Sequence, residues 1–101
     1  MNIVTFCDVK DSAIDNKYNV EHFQSGSSGD ADVAIIDINT IFEFEENKAT
    51  ACKSKFVSIA IIDDEGDYDA FKNFGIDAWI KHEDISELNG LLNVVQKRCL
   101  S

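Results

Sequence analysis

The chain has 101 residues, a hydrophobic fraction of 45% and a formal net charge of −10. This length suits one domain with one core, and the hydrophobic fraction argues against intrinsic disorder. The negative charge excludes a free nucleic-acid binder and a protein held on an anionic membrane, because both need a basic surface. The simplest interpretation of this charge is solubility, and a basic partner or a cation site is the alternative.

The cysteines and the N-terminus bear on the compartment. Cys7, Cys52 and Cys99 are an odd set without the close pairs of a metal site, which indicates reduced thiols in a cytoplasmic protein. The N-terminus lacks the basic-then-apolar pattern of a signal peptide, and no apolar run approaches the length of a membrane span. We therefore expect a cytoplasmic domain that does not enter a membrane.

The N-terminal half predicts strands with little helix between them. Four apolar residues lie between Asp32 and Asp37, which is typical of a strand buried on both faces at the centre of a parallel sheet. Such a strand delivers Asp37 to its carboxyl end, where ligands of open α/β sheets bind. The predicted segments are a strand over 2–7, a polar stretch over 10–17 with at most two helical turns, a strand over 18–24, a flexible loop over 25–29 and a strand over 32–38.

The C-terminal half alternates between strand and helix patterns. The stretch 41–52 is ambiguous, because IFEFE alternates like a strand while its second half favours a helix. A helix over 66–75 is expected to begin at a cap on Asp67 and to end at Gly75 in the left-handed conformation. The other predicted segments are a buried strand over 56–62, a short strand over 78–81 and a last helix that begins with the capping pair Asp84 and Glu87.

This order predicts an α/β domain with a parallel sheet and right-handed crossovers. Asp8, Asp37 and Lys81 each follow or end a predicted strand. Because the carboxyl ends of parallel strands lie at one edge of the sheet, we expect these three residues to converge there.

Three stretches carry a resemblance to a known family. NIVTFCD, DVAIIDIN and FGIDAWIKHEDISEL resemble the first strand, the third strand and the region around the fifth strand of receiver domains of two-component response regulators. The resemblance implies a flavodoxin-like three-layer sandwich with sheet order 2-1-3-4-5. The short segments before and after Asp37 imply a shortened first helix and a missing second helix. Residues 1–101 would then form one receiver-like domain from the N-terminal part of a larger signalling or transcription-regulating protein.

The family's chemistry implies roles for individual residues. A carboxylate at the position of Asp37 accepts a phosphoryl group, and Mg²⁺ held by carboxylates neutralises the phosphate oxygens. By resemblance, Asp8 and Asp37 would hold Mg²⁺ and Lys81 would contact the phosphoryl group. Counting back from Gly75 places the family's switch hydroxyl position on Ala60. The family's aromatic residue on the fifth strand, which moves with that hydroxyl, corresponds to Trp79.

The departures from the family pattern weaken that chemistry. Cys7 stands where the family has a second acid, and a thiol is a poor ligand for Mg²⁺. Ala60 has no hydroxyl, and the next one upstream is on Ser58. The step from Gly75 to Lys81 is one residue short, so His82 is the alternative at the lysine position. Any Mg²⁺ site is therefore expected to be weak.

These departures favour a degenerate receiver that acts as a phosphorylation-independent regulatory interaction or dimerisation module. We expect a protein partner or a second copy to bind the family's fourth helix, fifth strand and fifth helix around Trp79, or a face near residues 18–24 left uncovered by the missing helix. The alternative is a conventional Mg²⁺-dependent receiver that is phosphorylated on Asp37, with a histidine kinase as partner, and that catalyses its own phosphorylation and dephosphorylation. A flavin-binding domain fits poorly, because no phosphate-binding loop follows the first strand.

Simpler interpretations of the same residues stay open. Asp37 can cap the turn that follows its strand. Lys81 can be a solvated lysine at the end of a strand, and Trp79 can be a packing residue. The acids from Asp63 to Glu65 suit the first turn of a helix, where negative charge complements the helix dipole.

Overall fold

The apolar run at residues 33–36 forms the centre of a parallel sheet, as its composition predicts. The computed structural model describes residues 2–7, 9, 14–23 and 29–99, except the side chains of Ser54, Ala70 and Cys99. The strands are β1 (Asn2–Thr5), β2 (Asn19–His22), β3 (Ala31–Asp37), β4 (Cys52–Ile62) and β5 (Ala78–Lys81). The helices are α1 (Ile41–Ala51), α2 (Glu65–Lys72) and α3 (Leu88–Cys99), and a 3₁₀ helix (His82–Glu87) precedes α3.

The strands lie in the order β2-β1-β3-β4-β5, and each neighbouring pair of the described strands is parallel. The predicted α/β class with a parallel sheet is therefore confirmed. Asp37 lies opposite Ile61 and Lys81 lies opposite Ile62, so both residues are at the carboxyl edge. Asp8, which was expected there as well, lies outside the described residues.

Each face of the sheet has its own apolar core. Inward-pointing residues alternate along the strands, so successive residues of β3 and β4 pack against opposite faces. One core lies between the sheet, α3 and the segment before β2, and includes Ile3, Ile14, Tyr18, Val33, Ile35, Ile59, Ile80, Leu88 and Leu92. The other lies under α1 and α2 and includes Val4, Phe6, Ala34, Ile36, Ala60, Ile62, Phe44 and Phe71.

Helix α1 covers the whole of Ile41–Ala51, so the prediction that only its second half is helical was wrong. The alternation of IFEFE favoured a strand, but the buried positions are Ile41, Phe44 and Ala51, which recur at helical spacing. Phe42 points outward and is 69% exposed. Since β3 and β4 are parallel neighbours, the chain between them needs a crossover, and tertiary context overrides the local alternation.

Helix α2 begins at Glu65, one residue before the predicted range of 66–75, and Asp64 caps it. The Asp64 carboxylate accepts a hydrogen bond from the Gly66 backbone N–H at 2.9 Å, so the predicted cap on Asp67 was wrong. Gly75 has a φ of +70°, the left-handed conformation expected after the helix. The capping pair predicted at Asp84 and Glu87 lies within the 3₁₀ helix, and α3 itself begins at Leu88.

The connection from β2 to β3 has only eight residues, 23–30, of which 24–28 lie outside the described residues. Aromatic rings cover part of the sheet face on the side of α1. Phe23 stacks on Phe6 at a centroid distance of 4.6 Å, and Phe44 contacts the same ring at 5.6 Å. Phe6 is 1% exposed, so the sheet is covered at this point, whereas Val20 on β2, in the region expected to be uncovered, is 45% exposed. The predicted strand over 18–24 is shorter, and Gln24 lies outside the described residues.

The structure describes only part of the segment 10–17, in which at most two helical turns were predicted. Residues 10–13 lie outside the described ranges, and residues 14–17 form bends and turns rather than a helix. Across the described chain, none of the helices has both the length and the hydropathy required to cross a membrane.

Candidate functional site

The carboxyl ends of four strands surround a cleft of about 340 Å³. Its described lining is Cys7 after β1, Asp37 at the end of β3, Ile61 and Asp63 at the end of β4, and His82 after β5. Ligands of open α/β sheets bind at this edge, beside the point where strand order reverses between β1 and β3. The cleft is therefore the candidate site.

Asp37 closes the turn that connects β3 to α1. Its Oδ1 accepts hydrogen bonds from the Asn39 and Thr40 backbone N–H groups, both at 3.0 Å, and from the Thr40 hydroxyl at 2.9 Å. The Thr40 Oγ1 in turn accepts the Asp37 backbone N–H at 3.0 Å. Thr40 precedes the first residue of α1, but its side chain bonds back to Asp37 and does not cap the helix.

The two carboxylate oxygens of Asp37 have different hydrogen-bond environments. Oδ1 is fully engaged in the turn, whereas Oδ2 accepts no hydrogen bond from the described residues. The half-buried side chain lines the cleft. The capping interpretation of Asp37 is therefore borne out for Oδ1, and within the described residues Oδ2 has no hydrogen-bond donor.

Lys81 is directed to α2 rather than to Asp37. Its Nζ lies 3.0 Å from Glu65 Oε1 and 3.9 Å from Glu83 Oε1. The hydrogen bond to Glu65 and the negative charge of that carboxylate raise the pKa of Lys81, so the ammonium form is favoured. The lining of the cleft does not include Lys81. An ammonium group in this position neutralises glutamates at the protein surface.

His82 is the residue after β5 that lines the cleft with Asp37. Along β5, Ile80 packs into the core under α3, and its neighbours Trp79 and Lys81 point to the opposite side. The chain then turns into the 3₁₀ helix, which begins at His82. Of the two residues left open at the lysine position, the structure brings His82 and not Lys81 to the cleft.

The predicted switch position lies within a strand. Ala60 is fully buried and pairs with Ile36 on one side and Trp79 on the other. Strand β4 continues for two residues to Ile62, and Asp63 then lines the cleft. The position assigned by counting back from Gly75 is therefore two residues short of the end of β4.

Ser58, the alternative hydroxyl, is occupied elsewhere. Its backbone N–H and its hydroxyl donate to Asp77 Oδ2 at 2.9 and 3.1 Å, and the Asp77 N–H donates to Ser58 Oγ at 3.2 Å. These bonds fasten the chain just before β5 to the side of β4. Ser58 pairs with Ala34, three residues before Asp37, so it lies about 10 Å from the carboxyl edge along the strand.

The described residues do not fit a magnesium site. Mg²⁺ requires several oxygen ligands in near-octahedral geometry. No three His, Cys, Asp or Glu side chains of the described residues are close enough together to hold a metal ion. Asp8, the other predicted ligand, lies outside those residues. The cleft also presents the Cys7 thiol, which is buried and near the Ile35 carbonyl at 3.9 Å, and sulfur does not suit Mg²⁺.

Trp79 and Tyr68 form an aromatic pair outside the cleft. Their ring centroids are 5.3 Å apart at an interplanar angle of 60°. Trp79 is 44% exposed and Tyr68 is 39% exposed. Trp79 is therefore in contact with α2, as a packing residue would be, but almost half of its surface faces solvent.

A second cleft of about 370 Å³ follows one face of β2. Its lining includes Thr5, Ile14, Tyr18, Val20 and His22. The Tyr18 hydroxyl is buried and has no hydrogen-bond partner among the described residues. None of the predicted site residues lines this second cleft. Cys52 is also remote from the candidate site, and burial raises its pKa to about 11, which makes the thiol unreactive at neutral pH.

Comparison with protein-family models, curated proteins and solved structures finds no match to this chain. Sequence reasoning gave no role to Thr40 or to the pairing of Lys81 with Glu65. The Asp-x-x-Thr spacing after a strand could have indicated the first, whereas the second depends on how α2 packs beside β5.

Proposed function

We propose that this chain is a receiver-like regulatory interaction module with a flavodoxin-like fold, and that it acts without phosphorylation of Asp37. The main support is the ion pair of Lys81 with Glu65, in which Nζ lies 3.0 Å from Oε1. Phosphoryl transfer to a carboxylate needs a cation beside the developing negative charge. In this chain the ammonium group that would supply it is bound by a glutamate on α2.

Other features of the cleft support the same proposal. Asp37 Oδ1 is held by its own turn, and the acids of the described cleft do not form an Mg²⁺ site. The cleft presents the imidazole of His82 in place of the ammonium group of a lysine. Ala60, at the predicted switch position, has no hydroxyl that could couple phosphorylation of Asp37 to a movement of Trp79.

The proposed working surface lies on α2, β5 and α3 around Trp79. Support comes from the solvent exposure of the Tyr68–Trp79 pair, because large aromatic side chains at a surface favour contact with a partner. This surface corresponds to the fourth helix, fifth strand and fifth helix of the family that the chain resembles. The module would thus keep the family's contact surface and lose its phosphoryl chemistry.

A competent phosphoacceptor is the second candidate, and one observation favours it. Asp37 Oδ2 accepts no hydrogen bond from the described residues and lines a cleft of about 340 Å³, which is large enough for a phosphoryl group. This candidate requires Asp8 to complete a metal site and His82 to replace the lysine.

A magnesium titration separates the two candidates. Trp79 is the only tryptophan of the chain, so its fluorescence reports on β5. We expect no saturable change up to low-millimolar Mg²⁺. A saturable quench that is lost in Asp37→Asn and kept in Glu46→Gln, an exposed control on α1, would support the phosphoacceptor instead. Asparagine preserves an oxygen that can accept the hydrogen bonds of the turn, so Asp37→Asn tests the charge rather than the fold.

A further inference from the structure

One surface of the molecule combines exposed aromatic rings with charge. We define the α2–β5 surface by Glu65, Tyr68, Trp79, Lys81 and Glu83. Tyr68 and Glu65 lie one helical turn apart on α2, and Trp79 and Lys81 lie two residues apart on β5. The Tyr68–Trp79 ring contact and the Glu65–Lys81 ion pair join the two elements, so these residues form one continuous surface.

The two aromatic rings are not needed to fill the core. Among the described side chains, the buried residue of α2 is Phe71, which is 1% exposed, and the buried residue of β5 is Ile80. Tyr68 and Trp79 are partly exposed instead, and Trp79 lies on the opposite face of β5 from Ile80. Strand β5 is an edge of the sheet, so nothing in the described chain pairs with its outer side. Rings left half-exposed at a sheet edge are available to a partner.

The charge of the α2–β5 surface is negative. Glu65 and Glu83 both approach Lys81, and their side chains are 81% and 75% exposed. Lys72, one turn after Tyr68, is the other lysine of α2 and β5. The acids of α2, of its cap and of the residues after β5 outnumber these two lysines, and they are Asp64, Glu65, Asp67, Asp69, Glu83 and Asp84.

We propose that the α2–β5 surface binds a basic, arginine-rich segment of a partner protein. This inference depends on the proposed interaction-module function and names the partner's chemistry. A guanidinium group stacks on aromatic faces and also forms bidentate bonds with carboxylates. The Trp79 ring and the carboxylates of Glu65 and Glu83 offer both contacts within one surface. Lys81 leaves room for such a partner, because an incoming arginine can exchange for it at exposed glutamates.

A second copy of the chain fits this surface poorly. In a two-fold dimer the same surface faces itself, so the acidic residues of one copy would meet those of the other. Like charges placed opposite each other oppose association. Nucleic acid is excluded by the same sign of charge.

Fluorescence anisotropy of labelled peptides tests the proposal on the intact chain. The probes are a short arginine-rich peptide, a lysine-rich peptide of equal length and charge, and a glutamate-rich peptide. We expect saturable binding of the arginine peptide, weaker binding of the lysine peptide and none of the glutamate peptide. Added salt should weaken binding, because exposed charges are screened.

Matched variants locate the binding. Trp79→Ala and Trp79→Leu should each weaken arginine-peptide binding roughly tenfold, and Trp79→Leu should also abolish the preference for arginine over lysine. Phe42→Ala, which removes another exposed aromatic ring, should leave binding unchanged. Glu83→Gln should weaken it about two- to threefold, and Glu46→Gln on α1 should have less effect. Thermal unfolding checks that each variant is folded.

Two results would overturn the proposal. The first is peptide binding that is absent, or that is equally sensitive to the control and the surface variants, as expected for non-specific attraction to an acidic protein. The second is a concentration-dependent dimer in sedimentation that is lost in Trp79→Ala, which would identify a second copy as the occupant. Neither result depends on Mg²⁺ or a phosphodonor, so failure here is distinct from failure of the phosphorylation-independent function.

Discussion

Lys81 and Glu65 form an ion pair that joins β5 to α2, with Nζ 3.0 Å from Oε1. The same lysine would be the phosphate-binding cation if the chain worked as a conventional receiver. Its position explains why Asp37 has His82 rather than an ammonium group across the cleft. The pair is exposed, so its contribution to stability is small, and its importance lies in where it holds the charge.

The turn between Asp37 and Thr40 should stabilise the fold measurably. Thr40→Val keeps the shape of the side chain and removes the hydroxyl that donates to Asp37 Oδ1 and accepts from the Asp37 N–H. We expect the free energy of unfolding to fall by about 1–2 kcal/mol, as measured by urea denaturation. Thr50→Val, at an exposed position of α1, is the matched control and should change it by less than about 0.5 kcal/mol. Equal effects of the two substitutions would show that the turn is not stabilising.

Two glycines should respond to alanine with opposite signs. Gly75 has a φ of +70°, which is strained for any residue with a Cβ, so Gly75→Ala should destabilise the protein by about 1–2 kcal/mol. Gly90 lies inside α3 with open space around its Cβ position, so Gly90→Ala should stabilise it by about 0.5–1 kcal/mol. Thermal unfolding of the two variants measures both effects. A stable Gly75→Ala protein would mean that the end of α2 adopts another conformation.

Asp32 should make the protein sensitive to acid. Burial raises the pKa of its carboxyl, but the hydrogen bond from the Asn2 N–H and the Lys53 ammonium outweigh this, so the pKa lies below the ordinary value of 3.8. A lowered pKa in the folded state stabilises the protein above the unfolded-state pKa, and this stability is lost as the pH falls through the folded-state pKa.

The matching experiment compares urea unfolding of the parent and of Asp32→Asn between neutral pH and pH values below 3.8. The difference in stability should be largest at neutral pH and should shrink as the pH falls. Glu46→Gln, at an exposed site on α1, controls for the loss of one negative charge. A difference that stays constant with pH would show that Asp32 stabilises the fold through packing alone.

The sequence was sufficient for the elements whose local signals agree with their surroundings. The strand over 78–81 has the predicted bounds, and Gly75 has the predicted left-handed φ. The apolar run before Asp37 predicted both ends of β3 to within one residue. A strand buried on both faces is a continuous apolar segment, so its ends are marked by the polar residues beside it. Strand β4 begins at Cys52, four residues before its predicted start at Phe56. The polar sequence CKSK lacks the apolar pattern of a buried strand, so it was not predicted as part of β4.

The sequence was less informative about the site. The choice between Lys81 and His82 depends on where β5 ends and on the turn into the 3₁₀ helix, neither of which a residue count reveals. Ala60 was placed by counting along a helix of uncertain length. Phe23 covers Phe6 through a contact between residues that are distant in sequence, and local periodicity cannot predict such a contact.

Treatment with acetyl phosphate and Mg²⁺ tests the central claim most directly. Intact mass reports whether Asp37 is phosphorylated, and backbone chemical shifts report whether the fold responds. The account predicts that Trp79 and α3 keep their chemical shifts, with any change confined to the turn at Asp37. Stoichiometric labelling that is lost in Asp37→Asn, with shifts that spread to Trp79 and α3, would contradict it.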